Sequence, residues 1–389
     1  MEKPKKKIKN ISKNQKIFII LFLILIISVI LVFSLYFNNI NVRKWIDVNI
    51  LKKEIKSENL PTIELTEDKN IKTCAFNRYI GTLNGNEFNI YDNIGKKLKS
   101  LEIEIVNPIF SSNGRFLVIA ENKGSKLYVI EDKEIIWEKE IEGNISQVFV
   151  NKNGYVAITI VDTSNKAVIG LYDNKGENLF NAIQSSTRAE KVSISNDNKY
   201  LAIAEIDTSG TIIKSNIKVI TIEEAKKESG VTPMKSYNNE NGDLIVDIVY
   251  QDNNDLLCMY TNKINVIKSN GTEEQLTDLN NCIFASVDLS NSILTVKEKS
   301  SGLFNSVTTI NIINTYNKNT IEYNTDSVSK ELYTKGSVIA LNLGNQVEFI
   351  NENGLLLKRY NANQEVTNIV ISDSIAGIIY RDRIEIVNL

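Results

Sequence analysis

The stretch SNDNKYLAIAE, residues 195–205, sets a polar turn directly before an apolar run, and the same figure returns along the chain. SSNGRFLVIAE at 111–121, VNKNGYVAITI at 150–160 and QDNNDLLCMYT at 251–261 repeat it closely. FNRYIGTLNGN at 76–86, LSNSILTVKEK at 289–299, TKGSVIALNLG at 334–344 and SDSIAGIIYRD at 372–382 repeat it more loosely. Asn, Asp and Gly suit tight turns, and Ile, Val, Leu and Tyr suit the strands that follow. A second figure follows several copies: YDNIGKKL at 91–98, YDNKGENL at 172–179, KSNGTEEQL at 268–276 and NENGLLL at 351–357. Eight copies with a mean period of about 42 residues, each with room for four strands, are the pattern of propeller blades rather than of a sandwich.

The fold expected from this is all-β: an eight-bladed β-propeller over residues 61–389, or a seven-bladed one if the irregular unit at 191–243 is not a blade. Blade starts are placed near Ile71, Ile105, Ile145, Lys191, Leu244, Ile283, Val328 and Thr367. The last blade runs out of chain at Leu389 after three strands, and TIELTE at 62–67 is positioned to supply the fourth. Joining both termini in one blade removes the exposed edges that make open sheets aggregate.

Working outward, Ile17 to Phe37 is a 21-residue run without a charged side chain. As a helix it measures about 32 Å, one bilayer core. A soluble core helix seldom runs so long while apolar on every face. Before it, residues 1–16 carry Lys3, Lys5, Lys6, Lys7, Lys9, Lys13 and Lys16 against the single acid Glu2, a bias that holds this tail in the cytoplasm and sends the rest across. A signal peptide has a shorter apolar region and a small-residue cleavage site, whereas this span exits through Ser34-Leu35-Tyr36-Phe37-Asn38-Asn39, so an uncleaved anchor is expected. Residues 38–60 space Val42, Trp45, Ile46, Ile50, Leu51 and Ile55 near helical intervals, which predicts a juxtamembrane helix or stalk ended by Pro61.

The turn, the xYLAIAx strand and the strand ending Tyr-Asp-x-x-Gly resemble those of WD-repeat and TolB-type propellers. With its Lys-rich tail and single span, the arrangement resembles an uncharacterised family of membrane-anchored propeller proteins from Gram-positive anaerobes. The Trp-Asp dipeptide of WD repeats is absent, since Trp137 precedes Glu138. The resemblance implies a fold and carries no function.

Composition narrows the chemistry. Without its tail the chain has 45 − 7 = 38 basic and 47 − 1 = 46 acidic residues, a formal charge of −8 that disfavours nucleic acid. The absence of histidine removes Ser-His-Asp sites and His-ligated zinc. Cys74, Cys258 and Cys282 each lie in an apolar strand-like run, which reads as buried thiols, with a Cys258–Cys282 bridge left open. Asp92-Asn93-Ile94-Gly95 and Asp173-Asn174-Lys175-Gly176 are turn chemistry, and no calcium loop or sialidase Asp-box is present, so no metal, cofactor or catalytic residue is assigned. Adjacent acids such as Glu102/Glu104, Glu223/Glu224 and Glu273/Glu274 are expected to be solvated.

In four-stranded blades, with strands a to d in order, the a–b and c–d turns share one face of the disc and the b–c and d–a connections the other. The longer stretches Gln184 to Glu190, Ile206 to Asn216, Glu223 to Gly242 and Lys297 to Ser306 are all assigned to the second face, which is taken as the recognition surface. Ile212, Ile213, Met234, Tyr237, Leu303 and Phe304 are its candidate partner-binding residues. TIEEAKKESG at 221–230 predicts a short helix with Thr221 and Glu224 as a capping box, on the same face. The expected function is a non-enzymatic docking scaffold for a protein or peptide, held at the cell membrane by residues 17–37 with the propeller outside. The alternative is an envelope enzyme acting on glycan or peptide through carboxylates in the propeller channel, and converging acids with raised pKa values would favour it.

Overall fold

The computed structural model describes residues 13–38, 42, 46–51, 60–65, 70–161, 164–227, 235–239, 243–300, 306–325 and 327–389. It contains eight four-stranded antiparallel sheets in a ring. Seven are contiguous in sequence: blade 1 (72–102), blade 2 (108–140), blade 3 (144–184), blade 4 (188–239), blade 5 (245–278), blade 6 (284–324) and blade 7 (331–361). Each predicted blade start lies within three residues of the observed one. The unit that left seven blades open is an ordinary sheet, so eight is the number.

Blade 8 takes strands a to c from Asn368–Ile371, Ile375–Ile379 and Arg383–Asn388, and its outer strand d from Thr62–Glu64, as the lone N-terminal strand suggested. Register runs Thr62 against Glu385 through Glu64 against Arg383. The c–d turn of blade 1 fits against this splice: Gly95 has φ +78°, and a Cβ there would lie 2.9 Å from the carbonyl oxygen of Thr62. Asp92 holds the turn by accepting the backbone N–H groups of Ile94 and Lys96 at 3.0 and 2.9 Å, and Asp173 does the same in blade 3.

Strands b are buried along nearly their whole length, as in Phe116–Glu121 and Val338–Asn342, because each blade is covered on both sides. The core is correspondingly divided into interblade layers. Leu117 and Ile119 pack with Phe76 and Phe88 between blades 1 and 2, and Phe349 and Tyr360 with Ile378 and Tyr380 between blades 7 and 8. Strands a line an axial channel.

Helix α1, Lys13–Asn38, projects without cover, with apolar side chains from Phe18 to Phe37 exposed on every face. It is long and apolar enough to cross a membrane, and fits an anchor or a signal sequence equally. The Tyr36 hydroxyl donates to Asp47 Oδ1 at 2.7 Å, tying its end to a single π-helical turn, Ile46–Ile50, that rests against strand d of blade 7, Leu356–Asn361. This turn replaces part of the predicted juxtamembrane helix; Trp45 and Ile55 lie outside the described residues. The three thiols are free. Cys74 and Cys258 are buried in strands, but Cys282 sits partly exposed in a turn, which corrects the expectation of three buried strand thiols.

Candidate functional site

Chain direction fixes the two faces. Strand d of blade 8 pairs antiparallel to strand c, so the chain enters the ring beside Leu60 and Pro61 on the a–b/c–d face, where the Ile386 N–H donates to the Pro61 carbonyl. The b–c/d–a face is turned away from that entry. Exposed apolar side chains concentrate on it: Val106 and Ile283 in d–a connections, Val161 and Ile183 at strand ends of blade 3, Val246 and Phe284 at strand starts, and Ile212 and Ile213 in the b–c loop of blade 4. Val106 is 91% exposed, Ile183 62%, Ile212 63% and Ile213 45%. Among the described residues, the entry face shows fewer: Ile94, Tyr316 and Leu355 in its turns and Leu98 and Ile321 at the starts of strands d. A strand end leaves the blade stack while its apolar residue stays in water, a cost that a partner's surface would remove.

Of the residues singled out from sequence, Ile212 and Ile213 lie on this face. Met234, Leu303 and Phe304 lie outside the described residues. Tyr237 is not in a loop. It belongs to strand d of blade 4, Lys235–Asn239, half-buried, with its hydroxyl donating to the Gly271 carbonyl at 3.4 Å near the opposite face. The reason is the course of blade 4. Helix α2, Ile222–Ala225, opens the c–d connection, so the start of the 223–242 stretch decorates the entry face, and Lys235–Asn239 within it is a strand. Thr221 precedes α2 without a side-chain capping bond, contrary to the predicted box.

On the b–c/d–a face, blades 3 and 4 enclose a groove of about 550 Å³ lined in part by Gln147, Val161, Lys166, Arg188 and Glu190. A polar network lies beside it in blade 4, where Ala189, which lines the groove, pairs with Glu205. The Glu205 carboxylate, almost fully buried, receives Lys218 Nζ at 2.8 Å and Asn216 Nδ2 at 3.0 Å, together with the Thr187 hydroxyl. Lys218 also donates to Gln184 at 2.8 Å. Polar groups satisfied this way fix one arrangement of these side chains.

The second feature is the channel, where two chambers of about 620 and 510 Å³ share Phe110, Asp247, Asp288 and Lys335. Lys191 Nζ stands 3.7 Å from Asp247 Oδ1. Burial pushes the Asp247 carboxyl up to about 6, with Lys191 opposing and Asp288 adding to the rise. Between pH 4 and 6 this carboxyl therefore holds a proton in the folded chain that it sheds in the unfolded one, and its own contribution to stability falls as pH rises through that window. A rise from 3.8 to about 6 corresponds to at most about 3 kcal/mol. Asp247→Asn is expected to flatten this slope in denaturant titrations at pH 4, 5, 6 and 7; an unchanged slope would place the proton elsewhere. Nothing in the sequence distinguished these charges from solvated residues on an outer strand.

No curated protein matches the sequence. Among solved structures the chain resembles BamB from Moraxella catarrhalis, at 14% identity and TM-score 0.51 over 84% of this chain and 98% of that one. It also resembles the dihydro-heme d1 dehydrogenase NirN in complex with DHE, at 13% identity and TM-score 0.49 over 86% and 74%, and apo AztD from Citrobacter koseri, at 9% and 0.48 over 76% and 86%. At these identities the likeness to BamB is one of fold. The sequence itself is more specific: residues 51–389 match the family of unknown function DUF5711, and the chain belongs to that family.

Proposed function

We propose that this protein is a membrane-anchored docking scaffold, whose propeller presents its b–c/d–a face to a protein or peptide on the outer side of the cell membrane. The observation that carries the reading is the concentration of exposed apolar side chains, Ile183, Ile212, Ile213 and Phe284 among them, on the face opposite the chain's entry. An anchored disc with the reverse polarity would turn such a surface toward its own tether. The lysine-rich tail before α1 supports an extracytoplasmic propeller. The groove between blades 3 and 4 adds polar and charged groups beside Val161, the mixture expected of a reversible interface.

The test is capture from envelope extract by the full chain, comparing the parent with Ile183→Asp/Ile212→Asp and with Ile94→Asp on the entry face. Partners retained by the parent and by Ile94→Asp, and reduced tenfold or more in the double variant, are the expected result. Equal recovery in all three would remove the surface. A reporter fused after Leu389 and active in the cytosol would remove the topology.

The enzyme reading has one observation in its favour, the Asp247 carboxyl raised beside Asp288. Against it, Lys191 and Lys335 line the same chambers, so the channel is mixed in charge, which suits recognition better than a carboxylate pair flanking a glycosidic bond.

A further inference from the structure

We infer that the axial channel is a binding site for a small zwitterion with a free ammonium and a free carboxylate, an amino acid or short peptide, its ammonium on Asp247 and Asp288 and its carboxylate on Lys335. This site is independent of the docking face, and three features of the waist between the chambers carry it.

First, Asp288 faces the channel. Its neighbours Val287 and Leu289 are buried, while Asp288 itself is exposed and lines both chambers. Second, the waist charges do not neutralise one another. Leu289 pairs in parallel with Gly336, which sets Asp288 beside Lys335, yet Lys335 Nζ instead crosses the channel from blade 7 to donate to the Ser112 carbonyl of blade 2 at 2.8 Å. Among the described residues no ion pair or hydrogen bond engages the Asp288 carboxylate. Asp247 accepts the Ile248 N–H at 2.8 Å, but its nearest cation, Lys191, stands off at 3.7 Å. Third, about 620 Å³ of space adjoins these groups, enough for a small solute. A carboxylate without a donor, Asp288, with Asp247 near it and beside an ammonium held by one neutral carbonyl, matches a ligand that brings both complements. A simple amine would leave Lys335 unmatched, and a simple acid would leave Asp288 so.

The test is calorimetric titration of the full chain in detergent with alanine, dialanine and trialanine at neutral pH, and with the N-acetyl and C-amide forms of whichever binds. Binding of at least one free zwitterion, weakened tenfold or more by either cap, is expected. In Asp288→Asn the acetyl cap should lose its effect, and in Lys335→Met the amide cap should lose its effect, with Lys335→Arg restoring it. Thermal melts of each variant confirm folding. No heat from any free peptide at 10 mM, caps without effect, or cap discrimination that survives both substitutions would overturn the assignment.

Discussion

Ile63→Asp is expected to open the ring. Ile63 is 3% exposed and packs with Ala75, Ile80, Ile375, Ile384 and Ile386 between blades 8 and 1. An aspartate there forfeits about 2 kcal/mol of apolar burial and adds an unpaired carboxylate in an apolar layer, so a loss of about 4 kcal/mol or more is expected. The consequence goes beyond one layer, because Thr62–Glu64 covers the outer edge of Arg383–Asn388, whose other edge pairs with Ile375–Ile379. Its release bares the outer edge of strand c, with unpaired N–H and C=O groups ready to pair with another chain. Urea unfolding should show a much lower midpoint, and light scattering should show association at concentrations where the parent is monodisperse. Gly95→Ala, which strains the turn at φ +78° and presses a methyl on the Thr62 carbonyl, should give a milder version of the same defect. A midpoint for Ile63→Asp within the error of the parent would mean that the N-terminal strand does not close the propeller.

That closure was legible because its signals are local. TIELTE carries a strand pattern ahead of the first repeat, and the last repeat lacks a strand, so one vacancy and one spare were visible together. The turns of Asp92 and Asp173 were legible for the same reason, since an Asx side chain that caps its own turn needs no distant partner. The course of blade 4 was not legible. Its repeat carries an insertion, and a helix plus a strand reads the same in sequence whether it joins c to d or d to a. That ambiguity put Tyr237 on the wrong face and α2 with it. The exposed Val106, Val161, Ile183 and Phe284 continue apolar runs that are buried elsewhere, and exposure at a strand end depends on where the neighbouring blade stops. Asp247, Asp288 and Lys335 meet only because strands a converge on an axis, a contact between blades 5, 6 and 7 that no local pattern encodes.

Arg383→Ala is expected to cost about 3–5 kcal/mol, the penalty for leaving a buried carboxylate without its cation. Glu385 is 2% exposed in strand c of blade 8. Its Oε1 receives Arg383 Nε at 2.9 Å, and its Oε2 receives the hydroxyl of Tyr360 from strand d of blade 7. The Tyr360 and Tyr380 hydroxyls are 2.7 Å apart, and the Arg383 guanidinium lies 4.5 Å from the Tyr380 ring centroid. Burial pushes the Tyr380 phenol up to about 12, so it stays a neutral hydrogen-bonding group across the ordinary pH range. The network joins blade 8 to the blade against which the π-helical turn rests, so losing it loosens the ring next to its tether. The double variant Arg383→Met/Glu385→Leu separates charge burial from structural need. It removes both ions, and Tyr360 still keeps the Tyr380 hydroxyl. If the Arg383→Ala defect is an uncompensated charge, the double variant should regain most of the lost stability in urea titrations, with a coupling of at least about 2 kcal/mol between the two sites. If it is instead the packing of the Arg383 stem on Tyr380, both variants should fall by similar amounts, and the account of this network as an ion pair would have to be withdrawn.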